Sequence, residues 1–233
     1  MLCDFSGGDG TRDTVWIVGD SHAQQWETAI FDIARSNHWK VKWSYRGGCP
    51  VVDASFGGFN GALPSSADAE KCKTWSRTTF ASVAADKPKK VFISEYWERE
   101  KIDDGTRRPQ IDQYVDGLAR DWKRWADLGI GVYPIVEPPA NAAVRSVDCL
   151  TMNATKPQNC AVDRSLALAK DPMTLAARKV NSSMIHIMDF TRFFCDEKSC
   201  YSAVGGLPVY YDTNHLNDDY VRHLTPYFIQ TMR

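Results

Sequence analysis

Apolar positions along this 233-residue chain fall into short strand-like runs separated by stretches with helical spacing. Val15–Val18, inside "TVWIVGDSHAQQW", is a compact run of strand type that stops abruptly at Gly19-Asp20. In the "AQQWETAIFDIARSNHW" that follows, Trp26, Ile30, Ile33 and Ala34 recur at helical spacing. Lys40–Tyr45 alternates polar and apolar and leads into Gly47-Gly48, a second strand with its loop. The Gly/Ser-rich "VVDASFGGFNGALPSSADAE" predicts a long surface excursion. Lys89–Trp97 predicts a third strand. "IDQYVDGLARDWKRWADLG" carries Tyr114, Leu118, Trp122 and Trp125 on one helical face, with Gly129 as its stop. That places the two tryptophans in a core.

"IGVYPIVEPP" predicts a fourth strand closed by Pro138-Pro139, and Ile185–Thr191 a fifth. Between them, "AVDRSLALAKDPMTLAARKVN" predicts one or two helices interrupted at Pro172. Asn217 is placed to cap a closing helix, with Asp218 and Asp219 in its first turn, where the helix dipole favours acids. Strand and helix thus alternate throughout. The pattern predicts one α/β domain over residues 14–233, a parallel sheet sandwiched between helices, with residues 1–13 a linker remnant. In such sheets ligands bind beyond the carboxyl ends of the strands, and Ser21 lies just past the end of the first.

Composition removes several alternatives. A formal charge of −1 gives no basic field for nucleic acid. No apolar run is long enough to span a membrane, and no signal peptide begins at Met1. Seven cysteines are many for this length. Cys49 and Cys72, Cys149 and Cys160, and Cys195 and Cys200 each bracket a polar segment. Sequence proximity favours those three disulfides among the many connectivities open, with Cys3 left over. Metal binding competes, but there is no C-x-x-C and the five histidines lie away from the cysteines. An oxidising compartment follows from the pairs.

A serine at the exit of a buried strand is either a turn-and-cap residue or a nucleophile. A nucleophile needs a base, and the base an orienting group. "YYDTNHLND" supplies both, Asp212 standing three residues before His215. Three signals in order along the chain favour the catalytic reading. His22 reads as a local hydrogen-bonding residue at a helix entry, and Asp20 as a turn-stabilising carboxylate. Glu95, Glu98 and Glu100 read as a solvated rim, and His38, His186 and His223 as structural.

"GDSH" near the start and D-x-x-H before the final helix resemble the SGNH (GDSL-like) hydrolases. "GDSHAQQW", the Gly-Gly-Cys-Pro loop and the "PP…CL" segment bring the chain nearer to the extracytoplasmic SGNH domains fused behind membrane acyltransferase-3 proteins. The resemblance implies a three-layer α/β/α sandwich around a mostly parallel five-stranded sheet. It implies Ser21 as nucleophile, His215 as general acid and base, Asp212 as its orienter, and the N–H groups of Ser21 and Gly48 as oxyanion donors. Gly47 is an alternative donor. The family's oxyanion asparagine after the third strand is missing from "FISEYWERE", where Trp97 offers an indole N–H.

The resemblance further implies O-acyl transfer, of acetyl above all, to a cell-envelope glycan or glycolipid through an acyl-serine. A membrane acyltransferase-3 domain, expected as multiple transmembrane helices encoded upstream of Met1, would deliver the donor outside the cytoplasm. No metal or organic cofactor is required. A serine acetyl esterase of the same fold and a non-catalytic carbohydrate-binding module are the competing readings.

Overall fold

The computed structural model describes residues 1–232. In chain order it begins with β1 (Leu2–Asp4), β2 (Thr14–Gly19), the one-turn α1 (Ser21–Gln24), α2 (Glu27–Asn37) and β3 (Lys40–Tyr45). Next come β4 (Ser55–Phe59), α3 (Ser66–Asp86), β5 (Lys90–Ser94), β6 (Glu100–Asp103), α4 (Gln110–Asp127) and β7 (Gly131–Pro134). Two short helices, α5 (Val147–Met152) and α6 (Arg164–Ala167), precede α7 (Pro172–Val180) and the closing α8 (Asp218–Thr231).

The central sheet has five strands in the order β1-β3-β2-β5-β7. β3, β2, β5 and β7 are parallel, and β1 joins antiparallel at the edge. Its two faces bury separate cores. Ile17 and Val41 pack with Trp26, Ile30, Ile33 and Phe228 beneath α2 and α8. On the other face Val18, Val91 and Ile93 pack with Phe80, Leu118, Trp122 and Trp125 beneath α3 and α4. Residues that alternate along one strand therefore feed opposite layers, as a pleated strand covered on both sides requires. The arrangement is the α/β sandwich with a mostly parallel five-stranded sheet that the sequence implies.

Three expectations are corrected. The fifth strand is Leu2–Asp4, from the stretch read as a linker remnant; it covers the open edge of β3, with Cys3 opposite Val41. Ile185–Thr191 instead touches β7 through two isolated parallel bridges, Val132 to Ile185 and Ile135 to Met188. His186 N donates to Val132 O and Met188 N to Pro134 O, both at 2.8 Å. Pro134 has no N–H to return, so the ladder breaks at that residue.

The segment after Cys49 is no plain surface loop either. Val51 and Val52 are buried, β4 pairs with β6, and the 21-residue α3 starts at Ser66. That helix escapes a periodicity reading because its buried face is Cys72, Ser76, Thr79, Phe80 and Val83, a largely small and polar stripe.

Cys49–Cys72 ties the loop after β3 to α3, Cys149–Cys160 ties α5 to the turn behind it, and Cys195–Cys200 closes a hairpin-like turn. All three pairs are those favoured by proximity. Cys3 is free.

Candidate active site

The end of β2 fixes the position of Ser21. Gly19 has φ +151°, and a Cβ there would stand 1.9 Å from the Ser94 carbonyl oxygen and 2.6 Å from the Ala23 Cβ. Only glycine lets β2 run against β5 and then turn this sharply. Asp20, 1% exposed, caps the turn. Its Oδ1 accepts from His22 N at 2.7 Å and its Oδ2 from Tyr96 N at 3.1 Å. Burial raises its pKa against the pull of His22 and those two N–H groups.

Asp212, His215 and Ser21 come together as one hydrogen-bonded line. His215 Nε2 lies 2.8 Å from Ser21 Oγ, and His215 Nδ1 lies 2.9 Å from Asp212 Oδ2. The other carboxylate oxygen, Oδ1, accepts from the backbone N–H groups of Asn214 and His215, each at 2.6 Å. Burial pulls the Asp212 carboxyl upward, but the His215 ring and these two N–H groups outweigh it and hold its pKa below the ordinary value. A charged Asp212 on Nδ1 leaves Nε2 to accept the serine proton. Gln25 Oε1 accepts from Leu216 N at 3.0 Å and ties this loop to the turn that carries Ser21.

Ser21 and His215 open on a groove of about 750 Å³. Its walls include Glu27, Phe31 and Arg35 of α2, the exposed Tyr211, and Asp218 and Arg222 of α8. Gly48 takes φ +67°, a left-handed conformation that favours glycine. Among the described residues, the N–H groups of Ser21 and Gly48 donate to no protein acceptor. Trp97 stands elsewhere: it meets Tyr114 edge-on at 6.3 Å and lines a separate cavity with Glu98 and Glu137.

Glu95 and Glu100 are not a solvated rim. Both are buried, at 1% and 0% exposure. Glu95 Oε2 accepts from Val51 N at 2.9 Å, and burial pushes its pKa up to about 8. Glu100 is raised as well, by burial first and then by Asp20 and Glu95. His22 is equally buried. It stacks on Tyr96 at 4.0 Å and places Nδ1 2.8 Å from Glu137 Oε1, which also receives Arg145 Nη2 at 2.7 Å. Neither Glu137 nor Arg145 stands out in the sequence, because no motif or spacing marks them. Among the described residues no cluster of three or more His, Cys, Asp or Glu is arranged to hold a metal ion.

A doubly covered parallel sheet, with a serine at the exit of β2 and a D-x-x-H pair before the last helix, defines an SGNH hydrolase-like protein, a fold that supports an acyl-modifying enzyme. More narrowly, the family model of SGNH domains fused to AT3 domains matches residues 1–230, and the chain belongs to that family.

Two solved structures share the fold. One is the periplasmic domain of a lipopolysaccharide acetyltransferase from Salmonella ser. Paratyphi A, 15% identical, with a TM-score of 0.66 over 96% of this chain and 85% of that one. The other is a putative acylhydrolase from Bacteroides fragilis, 14% identical, with a TM-score of 0.50 over 96% of this chain and 88% of that one. No curated protein gives a significant match to the sequence. No helix among the described residues is long and apolar enough to cross a membrane.

Proposed function

We propose that this domain is an extracytoplasmic O-acyltransferase, with acetyl as the acyl group and a cell-envelope glycan or glycolipid hydroxyl as acceptor. The observation that carries the reading is the 2.8 Å contact between Ser21 Oγ and His215 Nε2, backed by Asp212. In the first half-reaction Ser21 Oγ attacks the donor's ester carbonyl while its proton passes to His215 Nε2. Asp212 stabilises the imidazolium. Collapse of the tetrahedral intermediate breaks the ester C–O bond, and His215 returns the proton to the departing alcohol. In the second half-reaction His215 takes the proton of an acceptor hydroxyl, whose oxygen attacks the acyl-serine; collapse breaks the bond to Ser21 Oγ, and His215 returns the proton to that oxygen. The N–H groups of Ser21 and Gly48, neither of which donates to a protein acceptor among the described residues, are the oxyanion donors that the family resemblance assigns.

The family's fusion to AT3 domains supports a membrane partner as the source of the acyl group, and the likeness to a periplasmic acetyltransferase domain supports acetyl and an envelope acceptor. Three disulfides suit an oxidising compartment. A serine esterase differs only in that water is the second nucleophile, and the open groove at Ser21 admits either.

The test is intact-mass spectrometry after incubation with p-nitrophenyl acetate. The wild type is expected to carry an acetyl adduct or to turn the ester over, and Ser21→Ala to do neither. Adding candidate glycans then separates transfer from hydrolysis. Equal behaviour of the two proteins would refute a serine nucleophile.

A further inference from the structure

The two segments that meet at Ser21 and His215 come from opposite ends of the chain, 194 residues apart. A buried ion pair that belongs to neither of them touches both. Arg145 is 1% exposed and Glu137 8%. Every nitrogen of the guanidinium is engaged: Nε donates to Pro139 O at 2.8 Å, and Nη2 to Glu137 Oε1 at 2.7 Å and to Pro138 O at 3.1 Å. Nη1 donates to Asn214 O at 2.5 Å, between Asp212 and His215. The flat group lies 5.0 Å from the Tyr96 ring centroid and 5.3 Å from that of Tyr210. On the other side, Glu137 holds the His22 ring, which stacks on Tyr96 and lies 5.3 Å from the His215 ring, centroid to centroid.

Burial alone would lift the Glu137 carboxyl, but His22 and then Arg145 hold its pKa below the ordinary range. The pair is therefore charged, and a buried charged pair persists only where its geometry is closely satisfied.

We propose that Glu137 and Arg145 are positioning residues for acyl transfer: together they tie the turn that carries Ser21, through His22, to the loop that carries Asp212 and His215, through the Asn214 carbonyl. This inference rests on the acyl-transfer reading of the site. A misplacement of about 1 Å between nucleophile and base costs on the order of a hundredfold in rate.

The experiment compares Glu137→Gln, Arg145→Lys and the double variant with wild type, using p-nitrophenyl acetate kinetics, active-site titration with a fluorophosphonate, and NMR of the ring nitrogens in histidine-labelled protein. Glu137→Gln keeps shape and the hydrogen bonds on Oε1 but removes the charge and the second oxygen, 3.1 Å from His22 Nδ1; Arg145→Lys keeps the charge but loses the fork. Each is expected to lower kcat on the order of tenfold to a hundredfold, with KM within about twofold and the full number of titratable sites. The double variant is expected to be no worse than the worse single one, because both act through the same link. The His215 Nδ1–H signal is expected to shift or broaden in each. Should Arg145→Lys fail to fold, Glu137→Gln carries the test.

Wild-type kcat in both folded single variants would overturn the proposal, as would a rate loss that merely tracks the loss of titratable sites. If wild type itself neither turns over the ester nor reacts with the fluorophosphonate, the functional reading fails. The link is then judged by NMR alone, and an unchanged His215 signal in Glu137→Gln overturns it.

Discussion

Replacing Glu95 with glutamine should make the protein more stable at neutral pH, by an amount that grows with pH. Glu95 is 1% exposed, it lies at the end of β5 beside Asp20 and Glu100, and burial lifts its carboxyl from an ordinary 4.5 to about 8. The native state thus holds a proton that the unfolded chain releases above its lower pKa. Stability is intact below pH 4.5 and falls as pH rises toward 8, because the unfolded state binds fewer protons over that window. With a slope of 1.36 kcal/mol per pH unit at most, the loss is about 0.8 kcal/mol at pH 5 and about 3 kcal/mol at pH 7.

Glutamine mimics the protonated acid: its carbonyl oxygen can keep the bond from Val51 N, and its amide replaces an oxygen, Oε1, that has no partner. Urea unfolding followed by tryptophan fluorescence at a series of pH values measures the difference. Glu95→Gln should gain about 2.5 kcal/mol on wild type between pH 5 and pH 7. Asp20 and Glu100 leave a residual slope in the variant, since burial raises both of them as well. Parallel profiles for the two proteins, separated by a constant within about 0.5 kcal/mol, would refute the argument that Glu95 is held protonated.

Two further outcomes follow from the geometry at Ser21. Asp212→Asn should leave the fold intact, since Asp212 is half-exposed, yet lower kcat for ester turnover on the order of 10⁴-fold: an amide N–H facing Nδ1 forces the ring into the tautomer that cannot take the serine proton. Steady-state kinetics with p-nitrophenyl acetate read this directly, and a loss below tenfold would mean that His215 does not act as the base. Gly19→Ala should destabilise the protein by at least ~3 kcal/mol, from left-handed strain and a methyl driven against Ser94 O and the Ala23 Cβ. A urea midpoint corresponding to a change under about 1 kcal/mol would show that β2 and β5 separate more easily than their packing implies.

What was legible in the sequence depended on whether a residue's role is written in its neighbours. Ser21, Asp212 and His215 were readable because strand exit, turn and D-x-x-H are local patterns, and the three disulfides because each closes a short polar segment. The α4 face was readable for the same reason: Tyr114, Leu118, Trp122 and Trp125 form an unbroken apolar stripe, and all four are buried. α3 lacked such a stripe, because it buries Ser76 and Thr79 where an amphipathic helix would bury leucines. In "EYWERE" four charged residues flank a Tyr-Trp pair and look solvated, yet Glu100 lies in β6 paired with β4, Glu95 takes the N–H of buried Val51, and both are buried. β1 is three residues long and owes its place to the unpaired edge of β3, a property of the folded sheet. Glu137 and Arg145 are eight residues apart, with a proline pair between them, and nothing local tells that they meet.

Ser21 and His215, the proposed nucleophile and base, are held to different standards of rigidity. Ser21 follows a glycine wedged against β5, inside a turn whose capping carboxylate is bonded on both oxygens, and the next side chain, His22, is fully buried. His215 instead arrives on a loop outside the central sheet, its side chain 31% exposed and that of Asp212 39%. Asp212 orders that loop partly from within, by accepting two of its N–H groups, but internal bonds fix the loop's shape rather than its place. Placement needs contacts to the rest of the molecule, and here these include Gln25 Oε1 with Leu216 N and Arg145 Nη1 with Asn214 O. Gln25 sits at the end of the one-turn helix that begins with Ser21, and Arg145 reaches the same turn through Glu137 and His22. Both ties therefore refer His215 to the turn that carries Ser21, and the Arg145 tie refers it also to the segment just past β7, through Glu137, Pro138 and Pro139.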